Sequence, residues 1–360
     1  MLKRLGTKIR RNLFPIITCS LAIIIMLIFL FSNNGIENLR RLIPQIQGGW
    51  LLLALATAVF TMFLEGVTLH MFCKHLYPDW SYGRSFTVGM TGLLYSAITP
   101  FSTGGQPMQI YSMRKMGMDT GKAGSVIAMK TLSYQVIMVT YALVLMCAQL
   151  GFFVRNVTNL AFITVIGLIS NAAFIALVFL FTVSAKGTDK LLHFGLRLLY
   201  RMRLCRHPLR RYHAIHQQLS MFHNSSKLMG RSLKLYLPVI LITLLQITLT
   251  GSIPYMIYRS FSLPAENVQL ITMLAAQQFV MMVSAFIPLP GASGGAEGSF
   301  LMFFRTFFEN TITPAILLWR LITYYLNIAL GAVVSSWGGR KYGNAEMAAE
   351  LDSASPEKQP

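Results

Sequence analysis

Long apolar runs separated by short polar stretches dominate the chain. Uninterrupted windows fall at about 13–31, 49–71, 124–152, 160–183, 235–258, 270–287 and 313–337. Each has at least the roughly 17 residues that a helix needs to cross about 30 Å of hydrocarbon. Two further windows, 85–98 and 298–308, are too short to span alone. This pattern predicts an all-α polytopic membrane protein with about seven or eight transmembrane helices and two broken, re-entrant segments at the short windows. Composition agrees, since 54% of residues are hydrophobic and only 12% are charged. The first window follows Lys3, Arg4, Lys8, Arg10 and Arg11. Its apolar core exceeds the about 7–15 residues of a secretory signal and no small-x-small site follows it, so it reads as a retained first helix.

The two broken segments repeat each other at an offset of 190 residues. Pro100, Thr103, Gly104, Gly105, Lys115, Lys130 and Tyr134 align with Pro290, Ser293, Gly294, Gly295, Arg305, Arg320 and Tyr324. In each copy a Pro-x-x-[Ser/Thr]-Gly-Gly turn interrupts an apolar run, and a cation follows 25 residues after the second glycine. Paired interruptions at corresponding positions of two halves are the sequence sign of a transporter-like site between the halves.

The net charge of +19, from 31 Lys and Arg against 12 Asp and Glu, is concentrated. The N-terminal arm carries five cations, and the stretch 186–234 carries eleven against Asp189 alone. By the positive-inside rule both face the cytoplasm. Four full windows lie between them, so 85–112 enters and leaves on one side as a re-entrant hairpin tipped by Thr103, Gly104 and Gly105. The expected layout is a basic cytoplasmic arm at 1–12 and a first membrane half at 13–185 with its turn near 100–107. A basic cytoplasmic loop follows at 186–234, then a second half at 235–338 with its turn near 288–299, and a polar tail at 339–360. If the second segment is re-entrant from the opposite face, the halves are inverted repeats and the tail returns to the cytoplasm.

A non-helical turn at membrane depth leaves backbone groups unpaired, which is tolerable only against protein, water or a polar ligand. Glycine permits close approach there, and the N–H groups opening the next helix favour an anion. Lys130 and Arg320 lie deep in apolar helices, where an unpaired cation costs about 2.5–3.5 kcal/mol. Glu65 and Glu297 are the acids available to them. Two readings stay open and are compatible: the acids brace the halves, or the cations meet substrate phosphate. The candidate substrate-binding set is Thr103, Gly104, Gly105, Gln106, Lys130, Tyr134, Ser293, Gly294, Gly295, Glu297, Arg320 and Tyr324.

The segments Thr99–Tyr111 and Pro288–Ser299 resemble the two signature segments of the flippase-like family. That family is also called the lysylphosphatidylglycerol synthase transmembrane region, the membrane half of the bacterial multiple peptide resistance factor. The resemblance covers roughly residues 10–340. It implies a translocase of two inverted halves in a bacterial cell membrane, moving aminoacylated phosphatidylglycerol or another anionic phospholipid between leaflets. The full-length resistance factor adds a soluble lysyltransferase domain, and the stretch 340–360 is too short and too polar to be one.

No catalytic constellation, metal site, cofactor or nucleotide fingerprint is expected elsewhere. Cys19, Cys73, Cys147 and Cys205 are scattered and read as free thiols. His213 and His216 read as a solvated helix face with no acid nearby. From Leu191 to Cys205 apolar residues recur at helical spacing between arginines, the pattern of an amphipathic helix on an anionic leaflet. The sharper alternative is docking of a tRNA or a separate aminoacyl-transferase. The leading functional reading is therefore a lipid translocase whose partners are anionic phospholipid and membrane, with a homo-oligomer allowed. The alternatives are a membrane subunit of a phosphatidylglycerol lysyltransferase and a non-transporting envelope scaffold.

Overall fold

A computed structural model describes residues 44, 46–156, 160–201, 208–264, 268–285 and 287–342. The basic arm, the first apolar window and the tail beyond 342 lie outside the described residues. Those residues form helices joined by short links, with no strand among them. The helices are α1 Gly48–Leu76, α2 Tyr82–Ile98, α3 Gly105–Lys115, α4 Thr120–Ala148, α5 Leu150–Asn156, α6 Leu160–Val183 and α7 Ala185–Arg201. They continue with α8 Pro208–Gly230, α9 Leu233–Ser260, α10 Leu270–Ser284, α11 Gly295–Phe308, α12 Ile312–Arg320 and α13 Leu326–Tyr342. A π-helical turn, Leu321–Tyr325, joins α12 to α13 into one continuous rod.

This is an all-α polytopic membrane protein. Among the described residues, Gly48–Leu76, Thr120–Ala148, Leu233–Ser260 and the run Pro290–Tyr342 are long and apolar enough to cross a membrane. A fifth such run joins α6 to α7 across a bend of 92°. Large apolar side chains such as Leu52, Leu180, Leu237 and Val333 point outward from these rods, as lipid rather than water demands. The count falls short of seven or eight for two reasons. The window 13–31 is not described, and 270–287 yields a helix of only 15 residues, one arm of a hairpin rather than a span.

Hydrogen bonds fix which helix ends lie together. At one end the Tyr77 hydroxyl, just past α1, donates to Asp119 before α4 (2.8 Å), and the Gly121 amide of α4 donates to Gln218 of α8 (2.8 Å). The Tyr342 hydroxyl, at the end of α13, lies against Gly83 at the start of α2. At the other end the Gln47 amide before α1 donates to Ser260 closing α9 (2.8 Å). There the Thr272 hydroxyl of α10 donates to Gln149 past α4 (3.0 Å), and Phe308 of α11 packs on Tyr258 of α9. The hairpin α2–α3 thus starts and finishes at the end that carries basic α8. The hairpin α10–α11 starts and finishes at the opposite end. Two hairpins entering from opposite ends are the inverted arrangement expected from the repeat.

The halves interlock. α2 packs along α13, where Gly331 and Gly338 leave room for Leu94 and Thr87, and the Thr91 and Ser335 hydroxyls bond each other (3.0 Å). Small residues at the contact let membrane helices approach closely. The second half holds a dense aromatic core of Phe279, Phe300, Phe303, Phe304, Phe308 and Trp319, which Phe153 of α5 joins from the first half. The core beside α2, α3 and α4 is instead methionine-rich, with Met113, Met116, Met118, Met129 and Met229 buried.

Candidate functional site

The two Pro-x-x-[Ser/Thr]-Gly-Gly turns pack against each other between the two ends, and they share a backbone. Thr99 (φ −115°, ψ 147°) matches Leu289 (−110°, 149°), and Phe101 (52°, 17°) matches Gly291 (59°, 20°). Ser102 (φ 56°) matches Ala292 (φ 52°). In each turn the hydroxyl three residues after the proline bonds back to the proline carbonyl, Thr103 to Pro100 at 2.9 Å and Ser293 to Pro290 at 2.7 Å. The motif therefore has a mechanical reading. Proline opens the turn, the hydroxyl closes it, and two left-handed residues lie between. Left-handed backbone at Phe101, Ser102 and Ala292 costs about 1–3 kcal/mol per residue and persists only where the surroundings impose it.

From the hydroxyl residue on the turns diverge, with ψ −17° at Thr103 and 138° at Ser293. In the first, Thr99 Oγ1 accepts from the Gly104 amide (2.9 Å), a neutral cap. Gly105 presses on Ser96 and the Gly92 carbonyl, where a side chain would collide, and this closes the hairpin. In the second, Gly294 is left-handed (φ 85°) and its amide donates to Glu297 Oε2 (2.6 Å). Arg320 Nε lies 2.8 Å from Glu297 Oε1, and Arg320 Nη1 donates to the Gly291 carbonyl (3.0 Å). The guanidinium also rests on the Trp319 and Tyr324 rings, 5.1 and 5.3 Å from their centroids. The Tyr324 ring fills the space that a Gly291 side chain would need, and its hydroxyl donates to the Ala97 carbonyl at the end of α2 (3.1 Å). Tyr324 thereby ties the second half to the first, from a π turn of the kind that recurs at functional sites.

Ser293, Gly294, Glu297, Arg320 and Tyr324 therefore come together as one cluster, with Gly295 beside it against Ile287. Glu297 and Arg320 are buried, at 4% and 5% exposure. Among the described residues, Arg320 Nη2, Trp319 Nε1 and both amide atoms of Gln277 have no hydrogen-bond partner, and Arg320 Nε meets Glu297 as an ion pair without hydrogen-bond alignment. A buried donor left unpaired costs about 1–3 kcal/mol, so the guanidinium is held by Glu297 yet keeps a donor to offer.

Lys130 takes the acid that the bracing reading gives it. Its ammonium pairs with Glu65 of α1, beside Gly89 midway along α2. The repeat breaks here because the acids are not equivalent: Tyr255 stands 190 residues after Glu65, and Pro107 stands 190 before Glu297. Tyr134, one turn on from Lys130, is exposed. Thr103 and Gln106 instead line a cavity of about 810 Å³ among α3, α4, α6 and α8. The volume lies within the about 300–1,000 Å³ of small-molecule sites.

The cavity walls are apolar, with Ile127, Phe174, Leu177 and Phe181 prominent. On α4 they run from Thr120 to Gln135, about 22 Å at 1.5 Å per residue. The floor is polar: Ser102, Thr103 and Gln106 lie there, and the Gln135 amide bonds Asn171 across the floor. The Gln135–Asn171 pair escapes a sequence reading centred on the turns. Its signal is an amide in each of two facing apolar runs, which must find a partner in hydrocarbon.

At the end of the cavity away from the turns, α7 folds back on α8. Asp189 accepts from the Tyr212 hydroxyl (3.1 Å) and lies 3.1 Å from His216 Nδ1 and 3.5 Å from His193 Nδ1. His216 therefore does have an acid beside it. The bend into α7 brings together residues 27 apart in sequence. Desolvation alone would raise the Asp189 pKa, but the His216 and Tyr212 hydrogen bonds and the nearby imidazoles together hold it below the usual carboxylate value.

Residues 17–331 match the family described as the lysylphosphatidylglycerol synthase transmembrane region. A UPF0104 membrane protein from Archaeoglobus fulgidus is 24% identical to the chain over 295 residues, covering 80% of this chain and 86% of that protein.

Proposed function

The chain belongs to the lysylphosphatidylglycerol synthase transmembrane-region family, and on that premise we propose that it moves an anionic or aminoacylated phospholipid between the leaflets of a cell membrane. The observation that carries this reading is the junction of the two turns: the second holds a buried guanidinium with an uncommitted donor, and it packs on the first, whose Ser102 and Thr103 line an apolar cavity. An amphiphile needs both environments at once. Its phosphate is recognised by a cation with fork geometry and by backbone N–H groups at helix starts, while its acyl chains stay in an apolar slot. The basic α7–α8 hairpin faces the anionic cytoplasmic leaflet, where each cation near the surface contributes about 1 kcal/mol of attraction. The same cations favour a second reading, in which the hairpin docks a separate aminoacyl-transferase with its tRNA and this chain is the membrane subunit of a lysyltransferase.

Mass spectrometry of the purified protein tests the first reading. An anionic phospholipid should co-purify at a fixed ratio and be depleted in the Lys130→Ala/Arg320→Ala double variant. An unchanged lipid profile in that variant would remove the paired cations from the site. Sidedness is tested separately. Cysteines at Ser81, Ser112 and Gln217 should be shielded from an impermeant external thiol reagent, and a cysteine at Ser262 should react. External labelling at Ser112 but not at Gln217 would overturn the re-entrant reading of the first hairpin.

A further inference from the structure

The cavity floor is polar without being charged. Among the described residues, no Lys, Arg, His, Asp or Glu lines any part of the cavity. Its polar side chains are all amides or hydroxyls, groups that both donate and accept hydrogen bonds. The floor is also held in place by the protein. Asn171 donates to the Gly167 carbonyl (2.7 Å) and accepts from Gln135, which fixes that pair. Gln106, in the first turn of α3, and Thr131, one turn before Gln135 on α4, are half-buried beside it.

Positive charge instead surrounds the other end, where Thr120 and Gln218 line the cavity. Arg114 and Lys115 close α3 there, Lys186 and Lys190 open α7, and all four are exposed. Asp119 and Asp189 at that end are already engaged, the first with Lys122 (3.1 Å) and the second with Tyr212 and His216. These features select against a positive headgroup. An ammonium has three donors and no acceptor, the cations at the cavity's end repel it, and an apolar slot without an acid leaves its charge unbalanced. Hydroxyls meet no such penalty, because they pair with amides in either sense.

We infer that this cavity accepts a lipid whose headgroup ends in uncharged hydroxyls, as in phosphatidylglycerol, and rejects the same lipid once an aminoacyl ammonium is attached. Gln106, Thr131, Gln135 and Asn171 are then the residues that set specificity, by hydrogen bonding to the accepted headgroup and by offering no counter-charge to the rejected one. The inference rests on the transport reading above and chooses between the two classes of substrate left open there.

The test is competition for a fluorescent phosphatidylglycerol bound to the purified protein in phosphatidylcholine nanodiscs. Unlabelled phosphatidylglycerol should displace the probe at least about tenfold more effectively than lysyl-phosphatidylglycerol, each factor of ten being about 1.4 kcal/mol. Ala128→Trp, whose indole fills the slot, should abolish specific probe binding. Gln106→Glu and Gln135→Glu each place an acid on the floor, and either should improve competition by lysyl-phosphatidylglycerol about tenfold; two positions are used in case one variant does not fold. Equal competition by the two lipids in the unsubstituted protein, or an unchanged ratio in the acid variants, would overturn the inference and leave the transport reading standing. Probe binding that survives Ala128→Trp would overturn it too, by placing the preference outside this cavity. Failure of both lipids to bind would sink the inference and the transport reading together. A neutral diglucosyl diacylglycerol separates the sources of the hydroxyls and should compete less well than phosphatidylglycerol. Equal competition by that glycolipid would keep the inference and remove the phosphate from the transport reading.

Discussion

Alanine at Lys130 or at Arg320 is expected to abolish lipid movement in reconstituted vesicles while the protein remains folded in the membrane. The two variants should differ in stability. Lys130 and Glu65 are each partly accessible, at 12% side-chain exposure, so water can relieve Glu65 when its partner is removed. Glu297 has no such relief. At 5% side-chain exposure, it would remain as an uncompensated buried charge, a change that costs about 3–5 kcal/mol. Arg320→Ala should therefore unfold at markedly lower temperature, and Arg320→Ala/Glu297→Gln should recover most of that loss without recovering transport. Arg320→Lys should keep part of the activity, because the charge stays while the fork that spans the Gly291 carbonyl and Glu297 is lost. Full transport by either single alanine variant would reduce that cation to a counter-ion.

Much of the fold can be read from local chemistry. The Pro-x-x-[Ser/Thr] spacing encodes a turn whose parts lie within four residues, and so the left-handed pair after the proline recurs 190 residues apart, while the hydroxyl residue and the first glycine take different angles. Charge asymmetry places the α2–α3 hairpin at the same end as α8, because that bias acts on loops one at a time. Acid pairing is different, since it depends on which helices meet. Lys130 and Arg320 are equivalent in the repeat, but one takes its acid from α1 and the other from the start of α11, positions occupied by Tyr255 and Pro107 in the opposite half. The Asp189–His216 contact needs the bend between α6 and α7, which no periodicity in 160–201 announces. Nor can a repeat say beside which turn a cavity lies, because both copies carry the same motif and in the second half Phe300, Phe303 and Phe304 pack against aromatic neighbours.

Glu297 sets the strongest contrast between a structural and a working role for the second turn. Its carboxylate takes up two groups that a phosphate would use, accepting from the Gly294 amide at 2.6 Å and pairing by charge with the Arg320 guanidinium at 2.8 Å. On the proposed transport reading it is a resident anion that a lipid phosphate must displace. Glu297→Gln retains an oxygen that can accept from Gly294, so the cap survives, but the charge competing for Arg320 is gone. Hydrogen bonds to charged groups contribute about 1.5–3 kcal/mol, so phosphatidylglycerol should bind the variant at least about tenfold more tightly, since each 1.4 kcal/mol is a factor of ten. Release should slow in proportion and the transport rate should fall, because a cycle needs the resident acid to return and expel the product. Equilibrium binding of a fluorescent phosphatidylglycerol, read beside thermal stability, separates the roles. A brace predicts a lower melting temperature with unchanged lipid affinity, and that pattern would remove Glu297 from the transport site.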